Sequence, residues 1–407
     1  MPTPEPPASD KPFDYGLLSP ATAGSDGIVS DSAILLGLYD AEVCYLRALV
    51  AVGIAPASAA EALEATGIPS DAADLARRAR DGGNPIIPLI ANLKAAAPDA
   101  AAWIHRGATS QDILDTALML TARRARGLTI TLLDRSASAL AALAHEHRGT
   151  IAAARTLTQH STPTTYGLRF ATWLTSLLDA RDTLAAVSLP AQLGGASGTL
   201  ASLVEIAGVE KATAMPAAFA REIGLDVPRC PWHISRAPVT RLGDALVGVT
   251  DVFGMIGANV ATLSRTEIAE LSEPTAEGRG GSSAMPQKQN PVFSVLLRSV
   301  SLRAPGLAAT LHVAAASFVD ERPDGAWHAE WPTLRELMRL AVGGAARLDE
   351  LTSELTVDLE HVASNLVLDD LRSEQRSLGG SGGDAEHGTY TGLSDHFIDA
   401  AIERAKA

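Results

Sequence analysis

The sequence predicts an all-α protein, and three observations carry that expectation. Apolar residues recur at alternating spacings of three and four over long stretches, above all at Val239, Leu242, Leu246, Val249, Phe253, Ile256, Val260 and Leu263. Hydrophobic residues make up 46% of the chain but aromatics only 4%, so the core is built from Ala, Leu, Val and Ile, whose small side chains let long helices approach closely. The first third of the chain has no alternating apolar–polar run that would read as a strand.

Taken in order, residues 1–12 are rich in Pro, Ser and charge, and read as a tail that is disordered or draped over a neighbour. Ile34, Leu35, Leu38, Val43, Leu46 and Val50 mark a helix from Asp31 to Val52, with Asp31 or Ser32 as N-cap. Shorter helices near 56–66, 70–81 and 86–97 are punctuated by Gly67-Ile68-Pro69 and Gly82-Gly83-Asn84-Pro85, giving a small helical N-terminal domain. After His105-Arg106-Gly107-Ala108 comes a long helix from about 112 to 148. Thr109, Ser110 or Asp112 would cap it, and its free N–H groups make an anion site. Residues 155–167 read as a polar loop that enters a helix at Pro163, followed by a helix over 168–187 and a glycine-rich turn at 192–200. That turn lacks the Lys-Ser/Thr pair a phosphate loop needs. A helix over 238–270 would run to about 50 Å, longer than a compact monomer requires, which suits sharing with partner subunits. A third long helix spans 291–316. Trp327 and Trp331 anchor a turn, helices follow at 333–350 and 357–375, and a Gly-rich break at 378–383 precedes a last helix at 393–406.

The net charge of −14, from 33 basic and 47 acidic residues, argues against nucleic-acid and anionic-membrane partners, and an anionic substrate would need local cations. Cys44 and Cys230 cannot form a disulfide framework, and no metal-ligand spacing exists. His145-Glu146-His147 on a helix aims its two rings at different faces. No signal peptide and no membrane-spanning apolar run are evident, so a soluble, cytoplasmic protein is expected.

The densest stretch is Gly278-Arg279-Gly280-Gly281-Ser282-Ser283-Ala284-Met285-Pro286-Gln287-Lys288-Gln289-Asn290-Pro291. Glycine hinges, two hydroxyls, a cation and an amide are the components of a closing active-site loop, whereas a surface linker would lack Met285 and the Lys288-x-Asn290 pair. Residues 281–291, Gly-Ser-Ser-x-Met-Pro-x-Lys-x-Asn-Pro, resemble at every position the signature loop of the fumarase/aspartase superfamily.

That resemblance implies a three-domain lyase fold: an N-terminal helical domain over 1–104, a central long-helix bundle over 105–335 and a C-terminal helical domain over 336–407. It implies a homotetramer whose active sites draw on several subunits, a small di- or tricarboxylate substrate, and no cofactor or metal. The base is implied to be Ser282, with Ser283 as alternate, and Lys288 and Asn290 to hold the carboxylate on which charge accumulates. Thr109, Ser110, Thr156, Gln159 and Arg236 would orient the remaining groups, and His160 would be a substitute acid or a binding donor. Relatives that expel alkoxides or amines carry histidine at the place of Leu157 and glutamate at that of Val295. Both are apolar here, which suits an anionic leaving group that departs unaided. The 192–200 turn, Cys230–Arg236 and Trp327–Pro332 resemble the cycloisomerase branch, although that branch often has aspartate where this chain has Ala237. The implied activity is cycloisomerisation of 3-carboxy-cis,cis-muconate, with a substituted-succinate lyase, such as one expelling nitrite from nitrosuccinate, as the alternative.

Overall fold

The computed structural model describes residues 16–25, 27–276, 278–281, 285, 288–366, 371, 373–378 and 390–406. It is helical almost throughout, and it divides into two compact units. One comprises residues 1–127, 187–244 and 306–339, the other 128–186, 245–305 and 340–407.

In the first unit, α1 (Asp31–Ala51) is capped by Ser30, whose Oγ accepts from Ala33 N at 3.2 Å, one residue ahead of the expected cap. It buries Leu35, Leu38, Tyr45, Leu46 and Leu49. Helices α2 (Ala57–Thr66), α3 (Ala72–Gly82) and α4 (Ile86–Ala96) follow within two residues of the expected bounds. The long helix α5 (Ser110–Glu146) begins here and continues into the second unit. Its expected range is likewise displaced by two residues at each end.

The second unit contains the main departure from the sequence reading. Residues 151–165 form a hairpin of β1 (Ile151–Thr156) and β2 (Gln159–Thr165), paired Thr156↔Gln159 and Ile151↔Thr165, where a polar loop was expected. Pro163 pairs with Ala153 within this two-stranded ribbon, a setting in which its missing N–H is tolerated. The connecting turn is Leu157-Thr158, with φ of +49° and +71°. Two positive φ values make a primed turn, which Asn-Gly fills without strain and a leucine followed by a β-branched residue does not. No turn signal announces it in the sequence. Helix α6 (Tyr166–Ala185) starts directly after the hairpin, capped by Thr165.

Helix α7 (Ala201–Ile223), in the first unit, was not anticipated. Gly208 (φ +82°) kinks it and Pro216 lies within it, which masks its period. It packs on α1, where Phe219 meets Tyr45 edge-to-face at 5.6 Å between ring centroids. Helix α8 (Ala237–Leu263) carries the predicted seam, and all eight seam residues are buried. It ends seven residues short of the expected bound, so it is about 40 Å long rather than 50 Å. Strand β3 (Leu271–Ser272) then pairs with β4 (Thr356–Val357), and α9 (Val292–Ala316) follows the signature loop.

Trp327 and Trp331, expected in a turn, lie in the first two turns of α10 (Gly325–Ser353), with Pro332 accommodated in the same stretch. Of the helix expected over 357–375, α11 (Leu359–Ser364) and α12 (Ser373–Ser377) are described, and α13 (Ser394–Lys406) closes the chain. In the second unit α8 passes close to two helices. A Cβ added at Gly344 would sit 2.5 Å from the Phe253 ring, and one at Gly254 would sit 2.3 Å from Ser301 Oγ.

Helices α8 and α9 are long and apolar enough to cross a membrane, contrary to the sequence expectation, although 50% and 33% of their most apolar windows are buried within the chain. Helix α9 has two apolar faces. Phe293, Leu297, Val300, Ala304, Ala308 and Leu311 are buried, whereas Val295, Leu302 and Val313 are exposed. The exposed three are spaced by 7 and 11 residues, multiples of the helical repeat, and so form one stripe.

Candidate active site

The expected site residues fall into two groups, one in each compact unit. In the first, α5 opens at Ser110 with Thr109 before it, both half-buried. Asp112, fully buried, reaches back to accept from Thr109 N at 3.0 Å, half of a capping box. The same carboxylate accepts from Gly194 N (2.9 Å), Gly195 N (3.0 Å) and His233 Nε2 (2.8 Å). One side chain therefore gathers the α5 N-terminus, the glycine-rich turn and the 230–236 segment. Gly194 is required there, because a Cβ would lie 2.8 Å from both His233 and Pro231. Arg322, to which the sequence reading gave no role, donates to Thr109 Oγ1 and to Ala196 O, each at 2.7 Å, which brings a cation to the helix opening.

Arg236, expected to orient substrate, has its guanidinium already engaged within the chain. It is 3% exposed and is enclosed by carboxylates. Asp115 takes Nη1 at 2.7 Å and Nη2 at 3.1 Å, while Glu330 takes Nε at 3.0 Å and Nη2 at 2.6 Å. Trp327 Nε1 donates to Asp115 at 2.9 Å, and the guanidinium also lies over the Trp232 ring. Two acids against one guanidinium leave a buried negative charge. Burial accordingly pushes the Glu330 carboxyl above its ordinary value, with Arg236 pulling the other way. Arg236 here holds α5, α8 and α10 together.

In the second unit the hairpin tip presents Thr156, Gln159 and His160, all exposed, on either side of Leu157, which is 96% exposed. The hairpin is held by Glu270 through Arg155 near its tip and Tyr166 just beyond its end. Its buried carboxylate accepts from Arg155 Nη2 (2.6 Å), Tyr166 Oη (2.6 Å) and Asn365 Nδ2 (3.0 Å). Burial pushes the Glu270 carboxyl up, but the hydrogen bonds from Arg155, Tyr166 and Asn365 outweigh it and hold the group below the usual glutamate value. Glu270 directly precedes β3, which leads into the signature segment, so one carboxylate ties two motif-bearing elements.

Ser282 and Ser283 lie outside the described residues. Lys288 is exposed at the signature loop, with its backbone N–H on Met285 O at 3.0 Å. Asn290 closes the loop's neck: its backbone N–H and its Nδ2 both donate to Gly280 O, at 2.8 and 2.9 Å. The adjoining cleft is lined by Ser272, Glu273, Thr275, Arg279, Gly280 and Asn290, among others. Among the described residues no group of three or more His, Cys, Asp or Glu is placed to hold a metal.

A family model described as lyase matches residues 82–306, more than half of the chain. The chain belongs to the fumarase/aspartase superfamily. Curated relatives in this superfamily include a nitrosuccinate lyase of Streptomyces davaonensis, 45% identical over 87% of this chain and 77% of that one. A 3-carboxy-cis,cis-muconate cycloisomerase of Bradyrhizobium diazoefficiens is 38% identical over 96% of this chain and 87% of that one. Among solved structures, the 3-carboxy-cis,cis-muconate lactonizing enzyme of Pseudomonas putida superposes with a TM-score of 0.82 at 30% identity, covering 95% of this chain and 97% of that one. Superfamily membership makes the chain an enzyme of the lyase/cycloisomerase type.

Motif reading missed the residues that tie the expected site segments together: Asp115, Glu330, Glu270 and Arg322. A signal was present for two of them. Asp115 follows Asp112 by one helical turn just before the apolar run Ala117–Leu120, and Glu330 lies between two tryptophans. Both patterns suggest a buried charge that needs a partner.

Proposed function

We propose that the protein is a 3-carboxy-cis,cis-muconate cycloisomerase, forming a lactone by anti addition of a carboxylate across a double bond. The observation that carries this reading is the paired absence of acid equipment, with Leu157 at the hairpin tip and Val295 on α9 both apolar and exposed. In the reverse direction the group that leaves is a carboxylate, whose parent acid has a pKa of about 4 and which needs no proton donor. In that reverse direction Ser282 is the base that takes the proton alpha to a carboxylate, and in the forward addition the same hydroxyl returns that proton to carbon, with Ser283 as alternate. Lys288 and Asn290 stabilise the carboxylate as it takes up charge, a contribution realised chiefly in the transition state. Thr109, Ser110, Thr156, Gln159 and His160 orient the substrate. Serine is a weak base at its free pKa, so unpaired local cations are part of the mechanism.

A second reading, elimination of nitrite from nitrosuccinate, is favoured by the 45% identity to the Streptomyces enzyme and by Ala237 where the cycloisomerases often carry aspartate. Nitrite is likewise a stable anion. We also propose a homotetramer in which subunits complete one another's sites, with the three segments 1–104, 105–335 and 336–407 as its domains. The exposed stripe of α9 supports such an assembly.

The test is a spectrophotometric assay of diene absorbance with 3-carboxymuconate, run in parallel with nitrosuccinate and with Ser282→Ala. Turnover of 3-carboxymuconate that the substitution abolishes is the expected outcome. Release of nitrite and fumarate with no action on the diene would replace the first reading with the second.

A further inference from the structure

We propose that the cleft at the root of the signature loop is a substrate-anion subsite and that Arg279 is its cation. The assignment rests on the reaction type proposed above and adds a specificity residue to it. Arg279 sits between Gly278 (φ +77°) and Gly280 (φ +70°), with its backbone N–H held by Ala276 O at 3.0 Å. The guanidinium stacks over the ring of Phe293, 4.7 Å from its centroid. Phe293 is itself buried in the first turn of α9, so it provides a fixed platform for the cation.

Arg279 combines this platform with a place in the cleft wall, and among the described residues its hydrogen-bonding edge is unused. Among the described residues the guanidinium has no carboxylate partner and donates no hydrogen bond, although an acid lines the same cleft. That acid, Glu273, is committed elsewhere. Its two oxygens accept from Phe293 N at 2.9 Å and Ser294 N at 2.7 Å, capping the α9 N-terminus. The cleft therefore holds a guanidinium with no acid partner among the described residues, the hydroxyls of Ser272 and Thr275 and the side chain of Asn290, whose Nδ2 also serves Gly280 O, while both oxygens of its one acid are occupied by helix N–H groups. In a chain of net charge −14, such a place selects anions. A planar guanidinium fixed by stacking matches a carboxylate, or an isosteric nitro group, in two-point geometry. Asn290 lines the same cleft, and with the substrate role proposed for it above, the anion that Arg279 would hold is a carboxylate of that substrate.

Three variants test this in the full-length protein. Arg279→Gln is expected to raise KM about tenfold or more for whichever substrate turns over, with kcat changed far less. It should also abolish the rise in Tm that tricarballylate, an unreactive tricarboxylate, gives the wild type. Arg279→Lys restores part of both effects, because the charge remains and the planar fork is lost. Phe293→Leu keeps the charge and removes the platform, and is expected to change KM by less than Arg279→Gln does. An unchanged KM and an undiminished tricarballylate effect in Arg279→Gln would overturn the proposal. So would a Phe293→Leu variant that reproduces the whole KM effect, since Arg279 would then act through packing alone. Tricarballylate binding needs no turnover, so failure of the assigned reaction, read by Ser282→Ala, stays separate from failure of the subsite.

Discussion

Asp112 shows how one buried side chain can gather three motif-bearing segments. Its two oxygens serve four donors from three separate segments, and none of those donors has another acceptor close by in the arrangement described. Removing the carboxylate leaves buried N–H groups and a buried imidazole unpaired, which costs far more than the pair contributes on balance. Asp112→Ala is therefore expected to lower unfolding stability by about 3–5 kcal/mol in denaturant titrations. Asp112→Asn, which keeps the shape and part of the acceptor capacity, should lose less. A loss below about 1 kcal/mol for the alanine variant would mean that water replaces the carboxylate. Arg236 teaches a complementary lesson. A motif identifies the residue, but only the partners Asp115 and Glu330 reveal that its charge is already in use.

Among the elements, the hairpin and its anchor Glu270 carry a pH signature. The folded pKa of Glu270 lies below the ordinary glutamate value, so its contribution is complete above that value and is lost as pH falls through it toward the folded pKa. Acidification below the unperturbed 4.5 should thus weaken the second unit, and Glu270→Gln should start less stable at neutral pH and depend less on acid. Equal slopes of stability against pH in the two proteins would count against this account. The same elements show what the sequence could disclose. Helix α8 was legible because its seam repeats without interruption over eight residues, all of them buried. Helix α7 was not, because Gly208 and Pro216 interrupt its period. The hairpin stayed hidden for a different reason. Its turn uses Leu157-Thr158 where local preference demands Asn-Gly, and only tertiary structure holds such a pair at positive φ. The signature loop was legible as chemistry and Thr109-Ser110 as a helix opening, whereas Glu270 and Arg322 depend on contacts over more than 100 residues of sequence.

For the whole molecule, the exposed stripe of α9 is the main observation. Val295, Leu302 and Val313 are 54%, 81% and 68% exposed along one face of a 25-residue helix whose other face is core. A second copy of the chain is the occupant that the proposed tetramer supplies. Light scattering on the purified protein is expected to give about four times the 42.2 kDa chain mass, and Leu302→Glu should shift it to smaller species. A monomeric wild type would remove the basis for shared sites. The stripe also ties folding to mass action. If covering those side chains supplies part of the free energy that holds a chain folded, dilution removes it, and Tm rises with protein concentration. Activity lost on dilution would then report dissociation, and a surface substitution far from any motif could silence the enzyme simply by raising the concentration at which its subunits find one another.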